Sequence, residues 1–406
     1  MSKVRILDSG SRLPYPSTPE RAALMVFLFV LGAYAYFFNG GGWNQNAQFA
    51  LTRSLVERGS FEISGYPGTE DVGYIDGRIY ANKLPGPSFI AAIPYAVLYG
   101  VERAAGIDPS TRVPLQLNAY LCTLFVCGIP GALVGAVLVL YGARIAERGA
   151  GFASVVALVV CFGTPLFAYS TVFYRHVLVG ALLLIAFFMS SREIDRPIAA
   201  GVASGVAGLS SYLAMPVLIL LLVRIGLMRN WGRAVRFVMG GAPFAVILVW
   251  YQIATTSSLF TITAAQNEQF TTEGAFLGFL SLPRPDVLFA ILFGEHRGLL
   301  FLSPVLLLLL AGLWRMAENR RWISLIVAGG TIVWLLLFNA SFNGWHGGWS
   351  IGPRYLSEGI PLAAVALMLS LFLATATPPA ASAQVNLIGN GGFEQGFYSA
   401  DVGMVG

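Results

Sequence analysis

Four short stretches carry side chains with chemistry to offer. The first, Glu70 to Gly86, reads EDVGYIDGRIYANKLPG and contains Glu70, Asp71, Asp76 and Lys83. Lysine occurs only twice in 406 residues, at Lys3 and Lys83. Lys83 runs into Leu84-Pro85-Gly86-Pro87, a sequence that shapes a turn and can deliver the ammonium to a helix start. A cation beside a helix N-terminus suits phosphate. Asp71, with Asp76 and Glu70 as rivals, is a candidate general base for a sugar or lipid hydroxyl; metal ligation and loop capping are the alternatives. In the second stretch, Phe173-Tyr174-Arg175-His176, the arginine either faces a site or snorkels. The third, Glu295-His296-Arg297-Gly298, precedes an apolar run, where Arg297 suits a phosphate oxygen. Glu295 and His296 also suit a divalent cation, the one cofactor these residues suggest. The fourth runs from Trp345-His346-Gly347-Gly348-Trp349 to Gly352-Pro353-Arg354-Tyr355. Tryptophans alone belong to interfacial belts, but aromatic faces next to glycines suit sugar stacking, and Arg354 suits phosphate. There is no P-loop, HExxH, CxxC or GxSxG, which argues against nucleotide hydrolysis and zinc proteolysis.

Apolar helices must position these stretches. The chain is 56% hydrophobic and 11% charged, far from the roughly 25% charge of a soluble domain. Apolar runs fall at about 22–39, 115–142, 151–169, 177–191, 198–211, 213–227, 235–254, 299–314, 322–340 and 358–376. The expectation is an all-α polytopic membrane protein of about ten transmembrane helices. Cys122, Cys127 and Cys161 lie inside apolar runs and read as small core residues. The net charge of +5 comes from loop arginines and does not suggest nucleic acid. With residues 1–21 as a cytoplasmic lead and 88–105 held in the outer interface, fifteen of the 25 basic residues face inward. Counting 88–105 as a span would turn the clusters at 144–148, 192–196, 224–236 and 315–321 outward, so that arrangement is rejected. All three histidines (His176, His296, His346) then stand at outer span ends, and no acidic residue sits mid-span. The site is therefore expected on the outer face, in loops 40–114, 255–298 and 341–357. In the first of these, Asn46 to Arg58 reads as an amphipathic helix stopped by Gly59, 60–87 as extended chain, and 88–105 as an interfacial helix. Gly205, Gly208, Ser210 and Ser211 suggest close helix packing.

Five segments taken in order resemble the bacterial polytopic glycosyltransferases of the GT-C class: WNQNAQFALTRSLVERGSF (43–61), DVGYIDGRIYANKLPGPS (71–88), FYRHVLVGALL (173–183), EHRGLLFLSPVLLL (295–308) and WHGGWSIGPRYL (345–356). The resemblance covers roughly 20 to 376. It is similar to protein O-mannosyltransferases and to the aminoarabinose transferase that modifies lipid A. Such a resemblance implies a GT-C-like domain over 22–376 in a bacterial inner membrane, with its site on the outer face. It implies transfer of a sugar from a polyprenyl-phosphate donor to a lipid, glycan or protein acceptor, with no nucleotide needed; by position, Lys83 and Arg297 would hold the donor phosphate, and the reading of the residues themselves adds Arg354 there and Asp71 as base. His176, His346, Trp349, Asp76, Tyr212 and Asn44 fall to the sugar or acceptor. One position departs from the class. Where it often has an Asp-Glu pair, this chain has Asn44-Gln45, and an amide takes no proton at neutral pH. Either Asp71 serves as base, or the chain is non-catalytic, for example a transporter or binder of lipid-linked sugar. An O-acyltransferase using His176 is a third possibility, disfavoured because no histidine lies within the membrane. The tail 377–406 reads as a Pro/Ala linker followed by NLIGNGGFEQG, which looks like the opening strand of a carbohydrate-binding jelly-roll module. About 30 residues are too few to bury a core, so a truncated chain is expected.

Overall fold

The structure, a computed structural model, describes residues 18–228, 230–258, 275–276, 278–348 and 350–370. Trp349, most of the 1–21 lead, part of the 255–298 loop and the 377–406 tail lie outside the described residues.

Helices dominate. Four are long and apolar enough to cross a membrane: α1 (Pro19–Tyr36), the continuous rod Arg112–Arg144, α11 (Trp231–Thr256) and α15 (Trp322–Ser341). The rod comprises α4 (Arg112–Thr123), a wide π turn and α5 (Ile129–Arg144). Shorter apolar helices are α6 (Ala150–Gly163), α8 (Arg175–Met189), α9 (Pro197–Ser210), α10 (Ala214–Leu227) and α16 (Ile360–Ser370). Two expected single runs are broken. Thr164-Pro165 separates α6 from α7 (Leu166–Ser170). The run 299–314 divides into α13 (Leu299–Leu302), a 3-10 turn from Pro304 to Leu307, and α14 (Leu308–Glu318). Pro304 has no N–H to carry the ladder onward.

The polarity of these helices is inverted relative to a soluble protein. In α11 the buried positions include Arg233, Gly240, Gln252, Thr255 and Thr256, whereas Val235, Val238, Met239, Val246 and Trp250 are exposed. In α1, Leu24, Met25, Leu28 and Phe29 are likewise exposed. Large contiguous apolar surface of this kind suits lipid rather than water. Helices then pack through small residues instead of apolar bulk. A Cβ on Gly240 would stand 3.0 Å from the Val202 nitrogen, so α9 and α11 meet backbone to backbone.

The first long loop is more ordered than extended chain. It holds α2 (Trp43–Arg58), where a helix over Asn46 to Arg58 is expected, and α3 (Gly86–Ala104), where a helix over 88–105 is expected. Glu57 ties them together: it accepts from Arg53 at 2.7 Å, from the Tyr66 hydroxyl at 3.1 Å and from the Tyr95 hydroxyl at 2.5 Å. Ser88 on α3 donates to the Gln48 carbonyl of α2 at 2.9 Å. Between the helices, residues expected to be merely extended form an antiparallel hairpin, β1 (Val72–Ile75) and β2 (Arg78–Ala81). Its two-residue turn is Asp76-Gly77, with φ of +50° and +76°. Both central residues being left-handed is the turn geometry that matches the twist of a hairpin.

Candidate functional site

The hairpin register creates the first part of the site. Val72 pairs with Ala81, so Asp71 falls opposite Asn82, and the Asn82 N–H donates to the Asp71 carbonyl at 3.3 Å. Lys83 follows, and its Nζ lies 3.3 Å from Asp71 Oδ1. Asn82 Nδ2 donates to the same oxygen at 3.4 Å, and the Asp71 N–H is held by Thr69 Oγ1 at 3.1 Å. Burial alone would raise the Asp71 pKa, but the charges of Lys83 and Arg354 outweigh it and hold the carboxyl below its ordinary value. Burial pushes the Lys83 ammonium down to about 8; Asp71 opposes the shift, whereas Arg354 and Arg175 add to it.

Pro85 and Gly86 then turn the chain into α3. Gly86 lies against the end of α9, where a Cβ would stand 2.9 Å from Ser210 Cα. That backbone atom cannot swing aside as a side-chain tip would. Gly86→Ala is expected to cost about 1–3 kcal/mol by overpacking and to displace Lys83. Thermal unfolding of the purified variant measures the cost.

Lys83 lines a cavity of about 330 Å³ with Arg175 and Arg354. Its remaining wall is largely aromatic and aliphatic, including Leu213, Met215, Phe279, Trp334, Phe338 and Phe342. Arg175 is the first residue of α8. Arg354 opens a 3-10 turn ending at Glu358. It is 8% exposed, donates through Nη2 to the Tyr355 hydroxyl at 2.8 Å, and leaves a buried Nε with no hydrogen-bond partner. Its guanidinium stands 4.9 Å from the Tyr355 ring centroid and 5.8 Å from that of Tyr174.

Behind this wall sits Glu358, 1% exposed. Its carboxylate accepts from Arg175 Nε at 3.1 Å, from Ser211 Oγ at 2.8 Å, and from His176 Nδ1 at 2.9 Å. Because a carboxylate only accepts, His176 carries its proton on Nδ1.

Of the residues expected at the site from sequence, Lys83, Arg354 and Tyr212 line the cavity, and Asp71 stands behind Lys83. The Tyr212 hydroxyl donates to Gln252 Oε1 at 3.4 Å. The structure places others elsewhere. Arg297 is not in the cavity wall; it donates to Gly348 O at 2.7 Å and to Ser350 O and Oγ at 3.2 Å, anchoring the loop 341–357. His176 is 2% exposed and turned to Glu358. Asp76 sits exposed in the hairpin turn, a position its left-handed backbone explains. His346 accepts the Gly348 N–H at 3.0 Å through Nδ1. Partial burial, with Arg297 and Arg354 nearby, lowers its pKa. Asn44 is buried in the first turn of α2, outside the cavity wall. Its neighbour Gln45 is a helix cap: its side chain accepts from the Gly42 N–H and donates to Asn39 O at 3.1 Å. Among the described residues no three His, Cys, Asp or Glu side chains gather as a metal site. Sequence reasoning missed Glu358 as the partner of Arg175 and Ser211 as a donor to Glu358.

No family model matches the chain, and no curated protein matches it. Among solved structures it is similar to ArnT from Cupriavidus metallidurans in the apo state, with a TM-score of 0.55 and 15% identity. The match covers 90% of this chain and 62% of the ArnT chain, so the chain spans less than two thirds of that protein's length. At that identity the likeness is one of fold alone.

Proposed function

We propose that the chain is a membrane glycosyltransferase that moves a sugar from a polyprenyl-phosphate donor to a lipid, glycan or protein hydroxyl. The observation that carries this is the cavity with three cations at one part of its wall and aromatic and aliphatic side chains over the rest. A lipid phosphate has the same two-part character. Lys83, Arg175 and Arg354 would hold the phosphate and take up negative charge as the sugar–phosphate bond breaks. Asp71, outside the wall of the donor cavity but 3.3 Å from Lys83, would accept the hydroxyl proton of an acceptor bound on its own side of Lys83; the acceptor oxygen would bond to the sugar carbon from the side opposite the phosphate, and polyprenyl phosphate would leave with the bonding electrons. That course inverts the sugar carbon. The about ten spans, the cytoplasmic N-terminus and the outward-facing site of a bacterial inner membrane protein belong to the same proposal, supported by the distribution of loop arginines.

The direct test is incubation of the purified protein in vesicles with a polyprenyl-phosphate sugar, followed by mass spectrometry of the lipids. A new glycosidic bond supports the proposal. Movement of the donor across the vesicle without one supports a non-catalytic transporter or binder instead. That second function is favoured by Asn44-Gln45, since Gln45 is occupied as a helix cap rather than available as an acid or base.

The Lys83 environment gives a pH dependence. Lys83 carries its charge below about 8 and loses it above. The phosphodiester keeps one negative charge throughout, so donor binding is strongest below that value and weakens as pH rises through it. The apparent KM for donor is expected to rise several-fold between about pH 7 and about pH 9. Lys83→Arg, whose guanidinium stays charged, flattens that rise.

A further inference from the structure

We propose that Glu358 is a positioning residue for the phosphate site: its carboxylate grips Arg175 by the Nε edge and leaves the two terminal nitrogens of that guanidinium for an anion in the cavity. This rests on the lipid-phosphate function proposed above.

Glu358 is not in the cavity wall, whereas Arg175 is. Among the described residues, no hydrogen bond engages the terminal nitrogens of Arg175; its one bonded edge is Nε, to Glu358 at 3.1 Å. The carboxylate is itself immobilised. His176 and Ser211 donate to it from the head of α8 and the end of α9, and Ser211 Oγ in turn accepts the Leu213 N–H at 3.2 Å. Glu358 also closes the 3-10 turn that Arg354 opens, which places the two on one short backbone segment.

Charge explains why a carboxylate belongs behind a phosphate site. Three cations on one cavity repel each other when no anion is bound. Lys83 feels both arginines. Asp71 offsets Lys83 and Glu358 offsets Arg175, each from outside the cavity wall. The cations stay charged and gathered while their cavity side remains open to a ligand. A carboxylate inside the cavity would have competed with the phosphate.

The test uses the full chain in detergent, with farnesyl phosphate as a short prenyl phosphate and farnesol as its uncharged counterpart. Kd is measured for the unsubstituted protein, Glu358→Gln, Arg175→Gln and the double variant. Each single substitution is expected to weaken farnesyl phosphate binding about tenfold, the effect of one lost charged hydrogen bond. The double variant is expected to match the singles rather than multiply them, because both remove the same contact. Farnesol binding stays unchanged. A structural role alone would weaken farnesol and farnesyl phosphate together. Unaltered farnesyl phosphate binding in Glu358→Gln, or multiplied losses in the double variant, overturns the positioning role while the lipid-phosphate function stands. No binding of farnesyl phosphate by the unsubstituted protein overturns both. If Glu358→Gln does not fold, Ser211→Ala loosens the carboxylate instead. It is expected to weaken farnesyl phosphate binding about threefold, and to have no effect when Arg175 is already glutamine. An effect that persists with Arg175→Gln overturns the role.

Discussion

Lys83→Ala is expected to lower sugar transfer on the order of 10²–10³-fold, the usual cost of losing one preorganised group that meets developing charge. Two separate losses combine. Transfer loses a cation at the phosphate, and the fold loses the partner of Asp71. Removing one member of a buried pair costs about 3–5 kcal/mol when the other charge is stranded. Here Asp71 keeps the Asn82 amide at 3.4 Å and the field of Arg354, so the lower end applies. Lys83→Arg separates the two losses. It keeps the charge and the pairing but not the compact ammonium, so it restores thermal stability and only part of the transfer. Mass spectrometry of product, with unfolding measured on the same detergent sample, checks both. Lys83→Ala with full activity would remove the phosphate role from this residue.

The parts of the fold legible in sequence were those written as local patterns. The apolar runs located most helices, and Asn46 to Arg58 and 88–105 emerged as α2 and α3. The hairpin was written just as locally. Asp76-Gly77 between Tyr74-Ile75 and Arg78-Ile79-Tyr80 is a strong hairpin signal, yet the Gly/Pro content around it masked the pattern. The breaks at Pro165 and Pro304 were likewise signalled by the prolines themselves. The site divides differently. Lys83 and Asp71 are twelve residues apart and joined by one tight turn, so their pairing follows from a local register. Arg175 and Glu358 are separated by 183 residues, and no spacing rule links them. A buried acid needs partners; only the packing of α8 against the 3-10 turn says which. Arg297 illustrates the opposite limit. Its position before an apolar run suits an anion, but the carbonyls of Gly348 and Ser350 and the Ser350 hydroxyl supply three acceptors that a ligand would otherwise have to provide.

Asp71→Asn is expected to separate binding from chemistry. As general base, Asp71 contributes about 10²–10⁴-fold to turnover, and an amide contributes none of it because it takes no proton. Donor binding moves the other way. With Asp71 neutral, Lys83 loses the anion 3.3 Å from its Nζ and is free to meet the phosphate alone. At a pH low enough to keep Lys83 charged, the variant is therefore expected to hold donor at least as tightly as the unsubstituted protein while kcat collapses. Loss of Asp71 also removes the interaction that opposes the fall in the Lys83 pKa, so the pH above which donor binding weakens moves lower in this variant. That displacement is a signature of direct coupling between the two side chains, and a general loss of structure would not produce it. Steady-state kinetics with varied donor, at two or more pH values on each side of neutrality, gives kcat, KM and the displacement together. If turnover persists with donor binding unchanged, the proton goes to another group, and the pairing with Lys83 becomes the whole function of Asp71.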